Sequence, residues 1–360
     1  MSPAETFSAP HRRFNPLSGA WTLVSPNRAK RPWSGQVEDI PKEVQHSYDA
    51  NCYLCAGNTR VSGTVNPDYK GPYVFENDHA ALTAPNGISQ SSGPADPKDL
   101  FRGEVANGHC QVICYSEDHS LTMAEMEEEQ IQQIITTWIK LHRGYEDSFQ
   151  VVQLFENKGA INGCSNPHPH GQVWASDHIP TDIQVEHMNQ RAYFSKNETP
   201  LLLDYVHQEL SKQDRLVCVN KDWIALVPYW ASWPFEILIA PRTHQAKMQH
   251  LSPKMQRTLA ALLKRITVKY DNLFKTSFPY SMGWHQAPNK STSNSAPSDE
   301  DAWLLHGHFY PPLLRSSTIK KFMVGYELLA EVQRDMTPEQ AAEMLRSCSD
   351  IHYTQCSSHD

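Results

Sequence analysis

The run Cys164-Ser165-Asn166-Pro167-His168-Pro169-His170-Gly171-Gln172 collects groups suited to phosphoryl chemistry. A neutral imidazole is a good nucleophile towards phosphorus, and a serine hydroxyl or a glutamine amide can donate hydrogen bonds to phosphoryl oxygens. His168 and His170 stand two residues apart, so in extended backbone both imidazoles share one face of a strand. Pro167 and Pro169 favour extended geometry in the residues before them. The pattern predicts a phosphoryl- or nucleotidyl-transfer centre with a histidine nucleophile, assisted by Ser165 and Gln172. On spacing alone, a metal site or two surface histidines is the commoner meaning of His-x-His. The rest of the chain has to decide.

With 360 residues the chain exceeds one typical core, and two domains are expected, 1–178 and 179–360. A content of 39% hydrophobic and 20% charged residues is that of a globular protein, and no apolar run reaches the length a bilayer requires. A net charge of −8 argues against a broad nucleic-acid surface, while a few local arginines suffice for small anions. The start, Met1-Ser2-Pro3-Ala4-Glu5, has neither the basic nor the apolar region of a secretion leader, so a cytoplasmic protein is expected. Eight cysteines without a disulfide-like pattern agree with that. Cys52-Tyr53-Leu54-Cys55 has metal-ligand spacing; it lacks the βαβ context of a redox pair, which favours a metal.

The chain also repeats itself. Gln111 to His119 and Phe235 to His244 are both short apolar strands followed by a histidine. Each leads into an amphipathic helix, one carrying Met126, Ile131, Ile134, Ile135, Trp138 and Leu141, the other Met255, Leu259, Leu262, Leu263, Ile266 and Tyr270. Ser252 and Pro253 form a cap-and-N1 start for the second, and Thr337-Pro338 opens a final helix in the same way. Further helices are expected after Thr181 and over 201–210. Each copy then presents a strand expected to end in His-x-His, His168-Pro169-His170 and His306-Gly307-His308, with the extra length of the second copy in an exposed loop, 289–301. The expected fold class is α+β: a duplicated unit, mainly antiparallel sheet, with one long helix covering each copy.

Asn157-Lys158-Gly159-Ala160, Gly163 to Gln172, Phe278 to His285 and Pro311-Pro312-Leu313-Leu314-Arg315 resemble the galactose-1-phosphate uridylyltransferase family, a branch of the histidine triad superfamily. The resemblance runs from about Phe14 to Tyr353. It implies fused histidine-triad-like units forming a half-barrel, and a ping-pong transfer of UMP from UDP-glucose to galactose 1-phosphate that yields glucose 1-phosphate and UDP-galactose. His170 would be the nucleophile, with Gln172 where simple histidine triad hydrolases carry a third histidine, and with Ser165 donating to the phosphoryl group. Zinc is implied at Cys52, Cys55, His119 and His168, and a second metal, iron or zinc, at Glu186, His285, His306 and His308. The resemblance assigns Arg28 and Arg31 to the phosphates. It assigns Leu54, Val61, Phe75, Asn77, Asp78 and Asn157 to uracil and ribose, with Gly163 inside the nucleophile motif. Lys321, Val324, Tyr326, Glu327 and Gln333 would read the hexose. Relatives of this kind are homodimers whose sites draw on both subunits, and a homodimer is expected here. The rival readings are a phosphorylase or hydrolase of the same superfamily, acting on ADP-sugars or dinucleoside polyphosphates, and a non-catalytic, zinc-stabilised nucleotide-binding module. Gln172 and the hexose motif weigh against the former; the complete Ser165, His170 and Gln172 set weighs against the latter.

Overall fold

The computed structural model describes residues 9–26, 46–84, 100–101, 103–289 and 298–355; Arg28 and Arg31 lie outside them. The first half contains β1 (His11–Phe14), β2 (Trp21–Val24), β3 (Tyr73–Glu76), β4 (Gly108–Cys114), α1 (Glu128–Tyr145), β5 (Val151–Lys158) and β6 (His170–Ser176). There follow α2 (Thr181–Asn197), α3 (Leu201–Lys212), β7 (Leu216–Val219), β8 (Trp223–Leu226), β9 (Ile237–Pro241), α4 (Pro253–Phe274) and β10 (Tyr280–His285). The chain closes with α5 (Asp299–Ala302), β11 (His306–Tyr310), β12 (Leu313–Ser316), β13 (Ile319–Lys320), α6 (Tyr326–Leu329), β14 (Val332–Arg334) and α7 (Pro338–Arg346).

Nine strands form one open antiparallel sheet in the order β3-β4-β6-β5-β10-β11-β9-β8-β7. The order exposes the duplication. Reading outward from the central β5–β10 pair, β6 and β4 on one side answer β11 and β9 on the other, and Cys114 faces His170 as Leu238 faces His308. Long helices cover one face. Ile131, Ile134, Ile135 and Trp138 of α1 and Leu259, Leu262, Leu263 and Ile266 of α4 are buried with Val152, Leu154, Val173 and Ala175 in a single cluster. Their spacing of three and four residues keeps those side chains on one helical stripe. Ser252 caps α4 by accepting the Met255 N–H, with Pro253 following, and Thr337 caps α7 by accepting from Gln340.

The opposite face differs between the halves. Over β8 and β9, Leu201, Leu202 and Val206 of α3 bury Ile224, Leu226, Leu238 and Ala240, so these strands are apolar on both faces. Over β5 and β6, by contrast, Phe155, Gln172 and Trp174 remain half-exposed. His170 and Gln172, expected to act on the phosphoryl group, belong to this face.

Two details correct the sequence reading. The His-x-His motifs begin strands rather than end them, because β6 opens at His170 and β11 at His306. In the first copy the prolines account for this, since Pro169 has no N–H to extend the ladder and contributes only its carbonyl, to Tyr115 N at 2.8 Å. The stretch 289–301, expected to be exposed, carries α5 at its end. Ser298 accepts the Asp301 N–H, and Asp299 is buried against Arg191. Residues 290–297 of that stretch lie outside the described ones.

Candidate active site and metal centres

His170 stands at the first position of β6, beside a hollow lined also by Phe155, Asn157, Gly163, Ser165 and Gln172. Its Nδ1 lies 2.7 Å from the carbonyl oxygen of His168. A carbonyl only accepts, so Nδ1 carries the hydrogen and Nε2 keeps its lone pair. Burial lowers the His170 pKa, an effect the carbonyl bond partly offsets, and the ring is neutral near pH 7. The neighbouring backbone needs glycine. A Cβ on Gly171 would run into the Tyr115 hydroxyl and come within 2.9 Å of the Phe155 carbonyl, and Gly163 has a φ of 76°.

Gln172 follows on the same face. Its Oε1 accepts from Trp174 Nε1 at 3.0 Å and from Asn77 Nδ2 at 3.3 Å. Asn77 is thereby tied to the nucleophile strand, and its own Oδ1 accepts the His79 N–H. Next to it, Asp78 pairs with Arg60 at 3.4 Å, and the Arg60 guanidinium lies 4.3 Å from the Phe75 ring centre. Val61 is exposed, whereas Leu54 and Phe75 are buried with Cys52, Cys55 and Tyr69. Ser165, Asn157 and Gly163 are therefore brought directly to His170, Asn77 just after β3 reaches it through Gln172, and Asp78 is held by Arg60.

The hexose candidates gather elsewhere. Lys321 and Arg334 both grip Glu327 at 2.7 Å, and Lys321 and Gln333 border a separate small hollow with Pro234 and Leu314. Val324 and Tyr326 are exposed nearby. None of the five lines the hollow beside His170.

Both expected metal sets assemble. Cys52, Cys55, His119 and His168 are all buried, with ligand atoms within 4.8 Å of one another. Cys55 Sγ is 3.5 Å from His119 Nδ1 and 3.6 Å from His168 Nδ1, distances suited to a shared ion. His168 turns Nδ1 inward because its Nε2–H is held by the Ser116 carbonyl at 2.9 Å, with the Tyr69 hydroxyl at 3.0 Å. Burial lowers the His168 pKa to about 4 and so keeps the ring in the neutral form that a metal needs. Two thiols and two imidazoles suit zinc.

Glu186, His285, His306 and His308 form the second set. His306 Nδ1 donates to the Leu304 carbonyl at 2.8 Å, which leaves Nε2 facing Glu186 Oε2 at 3.5 Å. Among the described residues, both ring nitrogens of His308 and His306 Nε2 are buried without a hydrogen bond. Orphaned buried nitrogens are costly, and a coordinated ion would satisfy them. Three imidazoles and one carboxylate fit iron or zinc alike.

Tyr69, Ser116 and Trp174 escaped the sequence reading. Only Trp174 had a signal, because strand alternation places residues 170, 172 and 174 on one face. The contact of Tyr69 and Ser116 with His168 is purely tertiary.

This open sheet recurs in solved structures. A solved uridylyltransferase aligns with a TM-score of 0.71 at 24% identity, covering 93% of this chain and 97% of that one. An ADP-glucose phosphorylase from Arabidopsis thaliana aligns at 0.73 and 23%, covering 95% of this chain and all of its own. Identities this low establish the fold alone. The sequence goes further. Residues 1–180 match the N-terminal domain of galactose-1-phosphate uridyl transferase, and residues 185–357 its C-terminal domain. Galactose-1-phosphate uridylyltransferases from Haemophilus influenzae and Rattus norvegicus are 51% and 47% identical, covering 96% and 97% of this chain and 96% and 91% of their own lengths. The chain belongs to the galactose-1-phosphate uridylyltransferase family and is a nucleotidyltransferase.

Proposed function

We propose that this enzyme moves UMP between UDP-glucose and galactose 1-phosphate in two displacements on His170. Nε2 attacks the α-phosphorus of UDP-glucose, an N–P bond forms, and the bridging P–O bond breaks to release glucose 1-phosphate with the electron pair. A phosphate oxygen of galactose 1-phosphate then attacks the same phosphorus. UDP-galactose leaves and the lone pair returns to Nε2. Ser165 and the Gln172 amide donate to the phosphoryl oxygens as charge builds there. The observation that carries this reading is the 2.7 Å bond from His170 Nδ1 to the His168 carbonyl, which sets the nucleophilic tautomer.

Cys52, Cys55, His119 and His168 would hold zinc, and Glu186, His285, His306 and His308 iron or zinc. In the first site His168 would be anchored rigidly by a bound ion. The His168 carbonyl orients His170, so that anchor reaches the nucleophile through the protein itself. Uracil and ribose would meet Asn77 and Asp78, which follow β3, with Asn157 close to His170. The hexose residues Lys321, Val324, Tyr326, Glu327 and Gln333 stand apart from the same chain's nucleophile, and we read the working enzyme as a homodimer in which they serve the partner's site. Arg28 and Arg31 are assigned to the phosphates on the resemblance alone. A thiol-rich zinc set belongs to a reducing compartment, in keeping with the cytoplasm.

Intact mass after incubation with UDP-glucose alone tests the reading. The expected result is a gain of one UMP, removed as UDP-galactose when galactose 1-phosphate is added. An unchanged mass with no glucose 1-phosphate released would overturn it.

A further inference from the structure

A terminal amide can point either way, and the two orientations of Gln172 have opposite chemistry. With the NH₂ towards the reacting phosphoryl group, the residue donates to its oxygens. With the carbonyl there, it repels them. Nothing in the covalent structure of glutamine selects between the two, so the protein has to.

The neighbours of Gln172 make that selection. Trp174, two residues along β6 on the same face, places its indole Nε1 at 3.0 Å from Gln172 Oε1. An indole nitrogen only donates, so the atom it meets is an acceptor, which in an amide is the oxygen. Asn77 Nδ2 reaches the same oxygen at 3.3 Å. The Asn77 amide is itself oriented, because its Oδ1 accepts the His79 N–H at 2.9 Å. Two donors converge on one oxygen, and among the described residues Gln172 Nε2 has no partner. The indole is held as well, edge-on to the Phe155 ring at 5.5 Å and 79°. Phe155 and Gln172 line the hollow beside His170, and β5 and β6 pair at these two residues.

We infer that Trp174 is a positioning residue for transfer, fixing the Gln172 amide so that its NH₂ faces the phosphoryl group on His170. Trp174 itself touches no substrate in this scheme. Its indole N–H acts only through Gln172. The inference rests on the donor role proposed above for Gln172.

The test is a double-mutant cycle on single-turnover release of glucose 1-phosphate from UDP-glucose, using the full chain. Trp174→Phe keeps the aromatic packing against Phe155 and removes the donor. It should slow the uridylylation step by about three- to tenfold, the range one uncharged hydrogen bond covers, and leave the half-saturating UDP-glucose concentration unchanged. In the Gln172→Ala background the same Trp174→Phe change should have no further effect, since there is no amide left to orient. Equal slowing in both backgrounds would assign Trp174 a general structural role and overturn the inference, as would an unslowed Trp174→Phe enzyme. If Gln172→Ala alone reacts at the normal rate, the donor role of Gln172 fails, and this inference with it. If Gln172→Ala is slow and Trp174→Phe is not, only the positioning role fails.

Discussion

The two His-x-His segments are made from the same repeat, yet the structure uses them differently. In the first, His168 gives Nδ1 to a metal set while His170 donates Nδ1–H to the carbonyl two residues back and keeps Nε2 open to a hollow. In the second, His306 makes the bond to the carbonyl two residues back, which turns its Nε2 towards Glu186, and His308 is buried with neither nitrogen hydrogen-bonded among the described residues. Gln172 stands two residues after His170, the proposed nucleophile. The same place after His308 is taken by Tyr310, stacked on the His308 ring at 5.4 Å. Ser165 precedes His170 by five residues, where His308 has Trp303, packed on His306 at 6.2 Å. The covering elements explain the contrast. Helices α2 and α3 lie over this face in the second half, α2 bringing Glu186, whereas β5 and β6 leave it half-open in the first. An imidazole on an uncovered strand start can meet a phosphate; the same imidazole under a helix can only bind an ion or pack.

The largest effect should come from exchanging the two roles. His170→Gly removes the nucleophile, and turnover should fall by about 10⁵- to 10⁶-fold with the thermal midpoint nearly unchanged. His308→Gly should do the reverse, lowering the midpoint and the second metal's occupancy while the UMP adduct on His170 still forms. Steady-state transfer, intact mass and melting on both variants check this pair. Near-normal turnover in His170→Gly would break the comparison outright.

Metal loss should separate the halves next. Cys55→Ala leaves three ligands and should release the first ion, and with it the anchor of His168, so transfer falls by about 10- to 100-fold. Glu186→Gln should weaken the second ion while slowing transfer by less than about tenfold, since no member of that set lines the hollow beside His170. Metal analysis by mass spectrometry, run beside single-turnover rates, distinguishes the two. Equal loss of transfer in both variants would mean that the second ion also supports the nucleophile.

Much of this was readable in the sequence where the cause is local. The caps at Ser252 and Thr337, the helical stripes of α1 and α4, and the spacing of His168 and His170 each depend on neighbours a few residues away. The metal sets became legible through the resemblance, because Cys52 and His168 are joined only by the fold. Three-dimensional competition hid the rest. Leu54 and Phe75, which the resemblance assigns to the uridine, are buried in one cluster with Cys52 and Cys55. Lys321 and Glu327, which the resemblance assigns to the hexose, pair with each other, and Glu327 also pairs with Arg334. The strand start at His170 was hidden because it depends on which partner strand ends where.

Packing beneath the nucleophile gives a smaller test. Gly171 lies over the Tyr115 hydroxyl, and the position one beyond His308 is instead Phe309, packed on Tyr280 at 4.9 Å. The first copy puts its bulk at Tyr115, just after β4, the second on β11. Gly171→Ala should destabilise by about 1–3 kcal/mol by overpacking. Tyr115→Phe in the same chain should recover part of that loss by removing the clashing oxygen. Denaturant melts of the single and double variants check it, and a fully stable Gly171→Ala protein would show that Tyr115 moves aside freely.

The smallest effect concerns the outer support of the two metal sets. His168 Nε2 faces two oxygens, the Ser116 carbonyl at 2.9 Å and the Tyr69 hydroxyl at 3.0 Å, while His306 Nδ1 has the Leu304 carbonyl at 2.8 Å. Tyr69 donates its own hydrogen to the Leu54 carbonyl at 2.7 Å, and burial holds its hydroxyl protonated well past the ordinary tyrosine range. Its oxygen is therefore free to share the His168 hydrogen. It also ties the Cys52–Cys55 loop, which contains Leu54, to the strand that carries the nucleophile. Tyr69→Phe should cost about 1 kcal/mol, the net worth of one buried hydrogen bond, and weaken the first metal by about tenfold, while Ser116 alone keeps the tautomer and transfer stays near normal. Competition with a chelator followed by melting measures both quantities. Unchanged metal affinity would mean that the Ser116 carbonyl suffices, and the first set would then be supported no better than the second.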